Sequence, residues 1–233
     1  MSHNSLLEVS NLRKTFGGFH ALDGISFSLD KGEILGLVGP NGSGKTTCIN
    51  VISGLYRPDG GRVVFAGKNI EANAPHRMAS LGINRTFQVP KPFRELTVAE
   101  NILVVHPSDN RNHIGAPLDF VGLTDLSQRK AGSLTSGQQK LLDLARALAN
   151  NPSLLLIDEL AAGLSPSELD EVAQKLLDLA GLGISLLVVE HLLGFVNQLT
   201  QRVIVMNAGK EIFEGTLSSA AKDERVIEVY LGR

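Results

Sequence analysis

The chain has 233 residues, a net charge of −2 and no long basic run, so it suits one domain with an inserted subdomain and lacks the electrostatic footprint of a nucleic-acid binder. Its longest apolar runs, 154–157 and 186–189, are strand-sized and exclude a membrane span, and residues 1–10 show no charged-then-apolar signal pattern. The single cysteine, Cys48, cannot form an internal disulfide; it reads as a small buried side chain in a reducing, intracellular setting.

In chain order, Lys14-Thr15-Phe16-Gly17 reads as a turn in which Phe16 either packs into the core or stacks on a base. Ile25, Phe27 and Leu29 alternate with Ser26, Ser28 and Asp30, which predicts a half-buried strand. Ile34–Val38 reads as a buried strand and 47–55 as a helix. Between them, Gly39-Pro40-Asn41-Gly42-Ser43-Gly44-Lys45-Thr46 fills the phosphate-binding template G-x-x-x-x-G-K-[ST]. Strand, glycine turn and helix N-terminus make an anion site, because backbone N–H groups converge there and the helix dipole favours negative charge. Gly42 and Gly44 keep Cβ atoms out of that turn. Lys45 is expected to reach the β- and γ-phosphates of a nucleoside triphosphate, and Thr46 to hold Mg²⁺.

A strand is expected over 62–66 with a turn at Gly67-Lys68-Asn69, a short helix over 75–81, and a strand over 83–87 ending at Gln88. The amide of Gln88 can coordinate Mg²⁺, bind the attacking water, or simply lie on the surface. Val89-Pro90-Lys91-Pro92 interrupts regular structure. Thr97 and Glu100 have the spacing of a capping box, residues 106–117 are polar and turn-rich, and 118–126 holds a further short helical piece. Residues 97–133 are therefore expected to form a small helical insertion, with 1–96 and 134–233 making up the core.

The final hundred residues alternate helix and strand. Leu134-Thr135-Ser136-Gly137-Gln138 precedes an amphipathic helix expected over 139–149, and its hydroxyls and glycine offer either a cap or a second anion site. The apolar strand 154–157 ends in Asp158 and Glu159. In a P-loop protein an acid at that tip holds Mg²⁺, which suits Asp158, and Glu159 can orient or deprotonate water. Ser165, Pro166 and Glu168 start another helix, whose end is marked by Gly181 and Gly183. His191 follows the strand 186–190 on the ligand-binding edge of a parallel sheet, where it either packs or donates to a γ-phosphate. A hairpin turns at Asn207-Ala208-Gly209. Buried strands interleaved with helices predict an α/β core.

These pieces, in this order, resemble the ATP-binding-cassette (ABC) ATPases. Residues 39–46 match Walker A, 154–159 Walker B, Gln88 the Q-loop, 134–138 the signature motif, His191 the switch histidine and Phe16 the adenine-stacking aromatic. The resemblance implies a P-loop NTPase (RecA-like) core with an N-terminal antiparallel β subdomain, and ATP with Mg²⁺ as ligands. It implies nucleotide contacts at Phe16, Gly39, Asn41, Gly42, Ser43, Gly44, Lys45, Thr46 and Thr47, and at Thr135, Ser136, Gly137 and Gln138 toward a partner's ATP. It further implies metal ligation by Thr46, Gln88 and Asp158, and catalytic roles for Glu159, His191 and Gln88.

Residues 16–22, 82–88, 95–101, 161–166 and 226–232 look like the cassettes of branched-chain amino acid importers, with urea and lipopolysaccharide-export cassettes as near relatives. A cassette of this type implies a second cassette, transmembrane permease subunits, indirectly a periplasmic or extracellular solute-binding protein, and a peripheral position on the cytoplasmic face of the membrane. The rival classes are a soluble ABC ATPase of DNA repair or translation, which typically carries a long coiled coil or two cassettes, and a regulatory module that does not hydrolyse. The sequence departs from the family at Thr135 and Ser136 of the signature, at Leu160 where proline is usual, at Phe16 in place of tyrosine, and in the short helical insertion.

Overall fold

The computed structural model describes residues 5–105 and 115–231. The first four and last two residues, and 106–114 of the turn-rich stretch 106–117, lie outside that part. The described chain builds two sheets. In the first, β1 (Ser5–Phe16) pairs antiparallel with β2 (Phe19–Asp30) on one side and β4 (Gly60–Phe65) on the other, and β4 pairs with β5 (Lys68–Asn69). Ile25, Phe27 and Leu29 face inward as their alternation predicts. Three details differ from expectation. Phe16 ends a twelve-residue strand rather than lying in a turn, the tight turn there being Gly17-Gly18. Lys68 and Asn69 are paired strand residues, the turn falling at Ala66-Gly67. And β1 itself, whose alternation is broken by register shifts between Val9 and Leu12, was not legible as a strand.

The second sheet runs β10-β9-β3-β8-β7-β6, where β3 is Ile34–Val38, β6 Ile83–Arg85, β7 Leu154–Asp158, β8 Ser185–Val189, β9 Val203–Asn207 and β10 Lys210–Gly215. All pairings are parallel except the β9–β10 hairpin. Its central strands are buried on both faces, which is why they read as continuous apolar runs. Leu154 and Leu156 pack toward the first sheet together with Cys48, Ile49 and Ile52 of α1 (Lys45–Ile52), whereas Leu155 and Ile157 pack toward Leu142 and Ala145 of α5 (Ser136–Leu148) and Leu176 of α6 (Pro166–Gly181). Cys48 is fully buried, and burial pushes its thiol up to about 12, so it is inert packing.

Between β6 and α5 the described residues form α3 (Val98–Val105), α4 (Gly115–Phe120) and two short 3₁₀ turns. The Thr97–Glu100 capping box forms in both directions, at 3.1 and 2.7 Å. Strand β6 ends at Arg85, earlier than the expected Phe87. Helix α1 begins at Lys45 rather than 47, and α5 begins at Ser136 rather than 139. The reason for the last shift is local: Thr135 and Gln138 form a reciprocal capping box, so Ser136, Gly137 and Gln138 are the first turn of the helix and not a loop before it. Gly137 has a packing role in that turn, because a Cβ there would press on the Glu168 carboxylate. Among the described residues no helix is long and apolar enough to cross a membrane.

Candidate nucleotide site

The strand order β3-β8-β7-β6 sets the carboxyl ends of four adjacent parallel strands along one edge. Each is followed by an expected functional residue: the P-loop after β3, His191 after β8, Glu159 after β7 and Gln88 after β6. This is the edge where ligands bind in open α/β sheets. A cavity of about 510 Å³ opens there, lined by Phe16, Asn41, Gly42, Gly44, Lys45, Thr46, Thr47, Gln88, Glu159 and His191, with Ala21 and Phe19 completing the wall. Gly39 and Ser43 of the same loop are not among its lining residues. Gly39 and Gly44 both hold positive φ, 148° and 107°, and a Cβ on either would strike a backbone carbonyl, of Met206 and Ala21 respectively. The loop glycines thus serve packing against the protein itself as well as room for a ligand.

Lys45 reaches back over the loop, donating to the carbonyls of Gly39 at 2.8 Å and Pro40 at 2.9 Å. Desolvation lowers its pKa, against the pull of Glu159, Asp158 and Glu190. Under the cavity floor, Asp158 is 1% exposed; its Oδ1 accepts from the Thr46 hydroxyl at 3.5 Å and its Oδ2 pairs with Arg85 at 3.2 Å. Burial raises the pKa of Asp158, and Arg85 opposes the rise. Glu159 sits at φ 49°, a conformation uncommon outside glycine and asparagine, with its N–H donating to the Val189 carbonyl at 2.9 Å. Such strain collects at functional sites. The Gln88 amide donates to Glu159 Oε2 at 2.6 Å.

Two buried charges that sequence reasoning did not single out hold the segment after Glu159. Lys140 of α5 donates to the carbonyls of Leu160 at 2.8 Å, Glu159 at 3.4 Å and Ala162. Glu190, which precedes His191, accepts from the Ala161 N–H at 2.8 Å. Burial pushes the Glu190 carboxyl up to about 7. A lysine within the apolar face of α5 and an acid ending the apolar run 185–189 were the available signals. Phe19, 61% exposed beside the cavity mouth, was also missed, although it follows Phe16 across a two-glycine turn. Phe16 stacks edge-on against Tyr56, 5.2 Å between centroids.

Thr135, Ser136, Gly137 and Gln138 do not line this cavity. Within one chain, the P-loop and the signature segment are separate.

The chain matches the family model described as ABC transporter over residues 22–162. The chain belongs to the ABC transporter family. Among curated relatives, the probable branched-chain amino acid transport ATP-binding protein LivG of Methanocaldococcus jannaschii is 37% identical over 97% of this chain and 97% of its own length. The LivG of Archaeoglobus fulgidus is 38% identical over 97% and 95%. Among solved structures, a nucleotide-free ATP-binding cassette from an ABC transporter superposes with a TM-score of 0.91 at 36% identity, covering 98% of this chain and 100% of that one. A dimeric cassette in a post-hydrolysis state, bound to ADP and Pi, superposes with a TM-score of 0.81 at 26% identity, covering 91% and 98%. The fold is therefore the P-loop cassette fold of this family, and the chain is an ABC-type ATPase.

Proposed function

We propose that this ABC ATPase powers uptake of branched-chain amino acids, or a similar small polar solute, as a peripheral subunit on the cytoplasmic face of a membrane. It would work beside transmembrane permease subunits, pair with a second cassette, and serve a periplasmic or extracellular solute-binding protein only indirectly. Nucleic acid has no part in this reading, consistent with the charge of −2. The names of the relatives, and their near-complete coverage, support the substrate class. Cassettes of other systems, such as urea import or lipopolysaccharide export, remain the second reading, because the solute is selected by subunits other than the cassette.

In this reading Phe16 stacks on the base, and the loop from Gly39 to Thr47 cradles the phosphates with Lys45 as the point charge. Thr46, Asp158 and Gln88 present oxygen donors, and the 3.5 Å approach of the Thr46 hydroxyl to Asp158 makes them a fitting set for a hard cation such as Mg²⁺. When bound, Mg²⁺ would neutralise charge on the β- and γ-phosphates. Glu159 accepts a proton from, or orients, the attacking water, and Gln88 holds that carboxylate in place. His191 donates to the γ-phosphate as its charge develops. Thr135 to Gln138 form the capped start of α5 and take no part in lining the chain's own cavity, which suits them to a partner's ATP. Residues 97–133 would be the helical subdomain that meets the permease.

The observation that carries the proposal is the convergence of Lys45, Gln88, Glu159 and His191 on one cavity from which the signature segment is absent. Affinity purification of the tagged chain from solubilised membranes tests it. A polytopic permease in stoichiometric amount supports transport, whereas a soluble chain whose turnover is stimulated by nucleic acid contradicts it.

A further inference from the structure

Arg85, the last residue of β6, is the point where the metal-holding carboxylate meets the rest of the molecule. Its Nη2 lies 3.2 Å from Asp158 Oδ2, and the Asp158 side chain is only 2% exposed, so water does not screen the pair. Its Nη1 donates to Asn50 Oδ1 at 2.6 Å and to Ser53 Oγ at 3.1 Å, both at the end of α1. Its Nε donates to the Thr86 carbonyl at 3.4 Å, and its plane lies over the Phe87 ring at 4.7 Å. The guanidinium is thereby fixed in position and rotation by groups from α1 and from its own strand, and the fork geometry of arginine makes that possible. Asp158 has two oxygens: one faces Arg85, the other faces the Thr46 hydroxyl on the nucleotide side.

We propose that Arg85 is a positioning residue for the divalent cation. It is the standing counter-charge of Asp158, it turns Oδ1 toward Thr46, and it sets the affinity for Mg²⁺ by competing for the same carboxylate. A buried carboxylate without a partner is costly, so one cation or another must attend it. An arginine on one oxygen satisfies that need and weakens the pull on a second cation at the other oxygen. Arg85 also lines a second cavity of about 210 Å³ with Phe87, Asp143 and Arg146, whose lining shares no residue with the candidate nucleotide cavity. A change in that cavity that moves Arg85 alters the charge felt at Asp158 without touching the P-loop.

This inference rests on the reading that Asp158 holds the metal, and the experiment separates the two. ATP affinity is measured by calorimetry across an Mg²⁺ titration for the full chain, Arg85→Met, Arg85→Lys and Asp158→Asn, together with the unfolding midpoint in Mg²⁺ alone. Arg85→Met keeps the aliphatic stem against Phe87 and removes the charge. We expect its half-effect Mg²⁺ concentration to fall roughly tenfold, the scale on which a neighbouring cation alters a carboxylate's affinity for a proton. Its unfolding midpoint should rise with Mg²⁺ alone more than that of the unsubstituted chain. Arg85→Lys, whose compact charge cannot serve Asn50, Ser53 and Asp158 together, should fall between, and it decides the matter if Arg85→Met does not fold. Mg²⁺ dependence unchanged in the folded Arg85 variants overturns the inference. Mg²⁺ dependence unchanged in Asp158→Asn overturns instead the metal reading on which it rests.

Discussion

Gln88 Nε2 donates a 2.6 Å hydrogen bond to Glu159 Oε2, joining the ends of β6 and β7 across 71 residues of sequence. The bond engages one oxygen of Glu159, and on the proposed reading the other serves the attacking water. Gln88→Ala should therefore lower kcat by about 10²-fold, the usual cost of one preorganised polar contact at a reacting centre, with ATP affinity little changed. Steady-state turnover and equilibrium ATP binding on the same preparation check this, and a selective loss of affinity with kcat intact contradicts it.

Lys140 and the backbone of residues 159–162 give a second prediction. Lys140→Met preserves length and packing but abandons the carbonyls of Glu159, Leu160 and Ala162. Buried hydrogen bonds to a charged donor contribute about 1.5–3 kcal/mol each before the remaining acceptors find water, so a loss of about 2–3 kcal/mol is expected in urea unfolding. Because the same residues shape the φ 49° turn at Glu159, turnover should fall more than the loss of folded protein explains.

Glu190 makes stability depend on pH. Its carboxyl is pushed up to about 7 by burial, against an ordinary 4.5. The folded state therefore holds a proton that the unfolded state releases. The stabilisation is complete below about pH 4.5 and is lost as pH rises through about 7. Glu190→Gln keeps an oxygen for the Ala161 N–H and carries no charge. Its stability relative to the unsubstituted chain should grow between these limits by up to about 3 kcal/mol and then level off. Urea unfolding at a series of pH values checks the sign; a difference that is flat with pH contradicts it.

Phe16 and Phe19 flank the mouth of the cavity, and Phe19 is exposed enough to be replaced without cost to the core. If both rings bear on the base, Phe19→Ala should weaken ATP binding about fivefold or more, at the low end of base–aromatic stacking. Affinity for inorganic triphosphate, which has no base, should not change. Equal losses for both ligands would show that the ring acts on the phosphates or on the fold.

Much of the site was legible because its chemistry is tied to local backbone demands. The P-loop needs glycines at fixed spacing, and the apolar run 154–157 has to end in acids at the sheet edge, so both appear as contiguous strings. The start of α5 was placed too late although its Thr135–Gln138 capping box is spelled out, because the hydroxyls and glycine of 135–137 read equally well as a cap or as an anion site ahead of the helix. Strand β1 was hidden by its irregular register, with Leu6 and Leu7 buried in succession. The roles of Arg85, Lys140 and Glu190 were missed for another reason. Each acts on a backbone or side chain brought to it by the fold, and a buried charge carries no local mark of its partner.

The central claim is that Glu159 acts on water over a phosphate gripped by Lys45, and single-turnover hydrolysis by Glu159→Gln is its most direct measurement. The substitution removes the proton acceptor, keeps the shape and leaves the P-loop untouched. The account predicts ATP binding as tight as that of the unsubstituted chain, with hydrolysis slowed at least about 10²-fold, the low end for loss of a general base. Hydrolysis at an undiminished rate by the ATP-bound variant would contradict it.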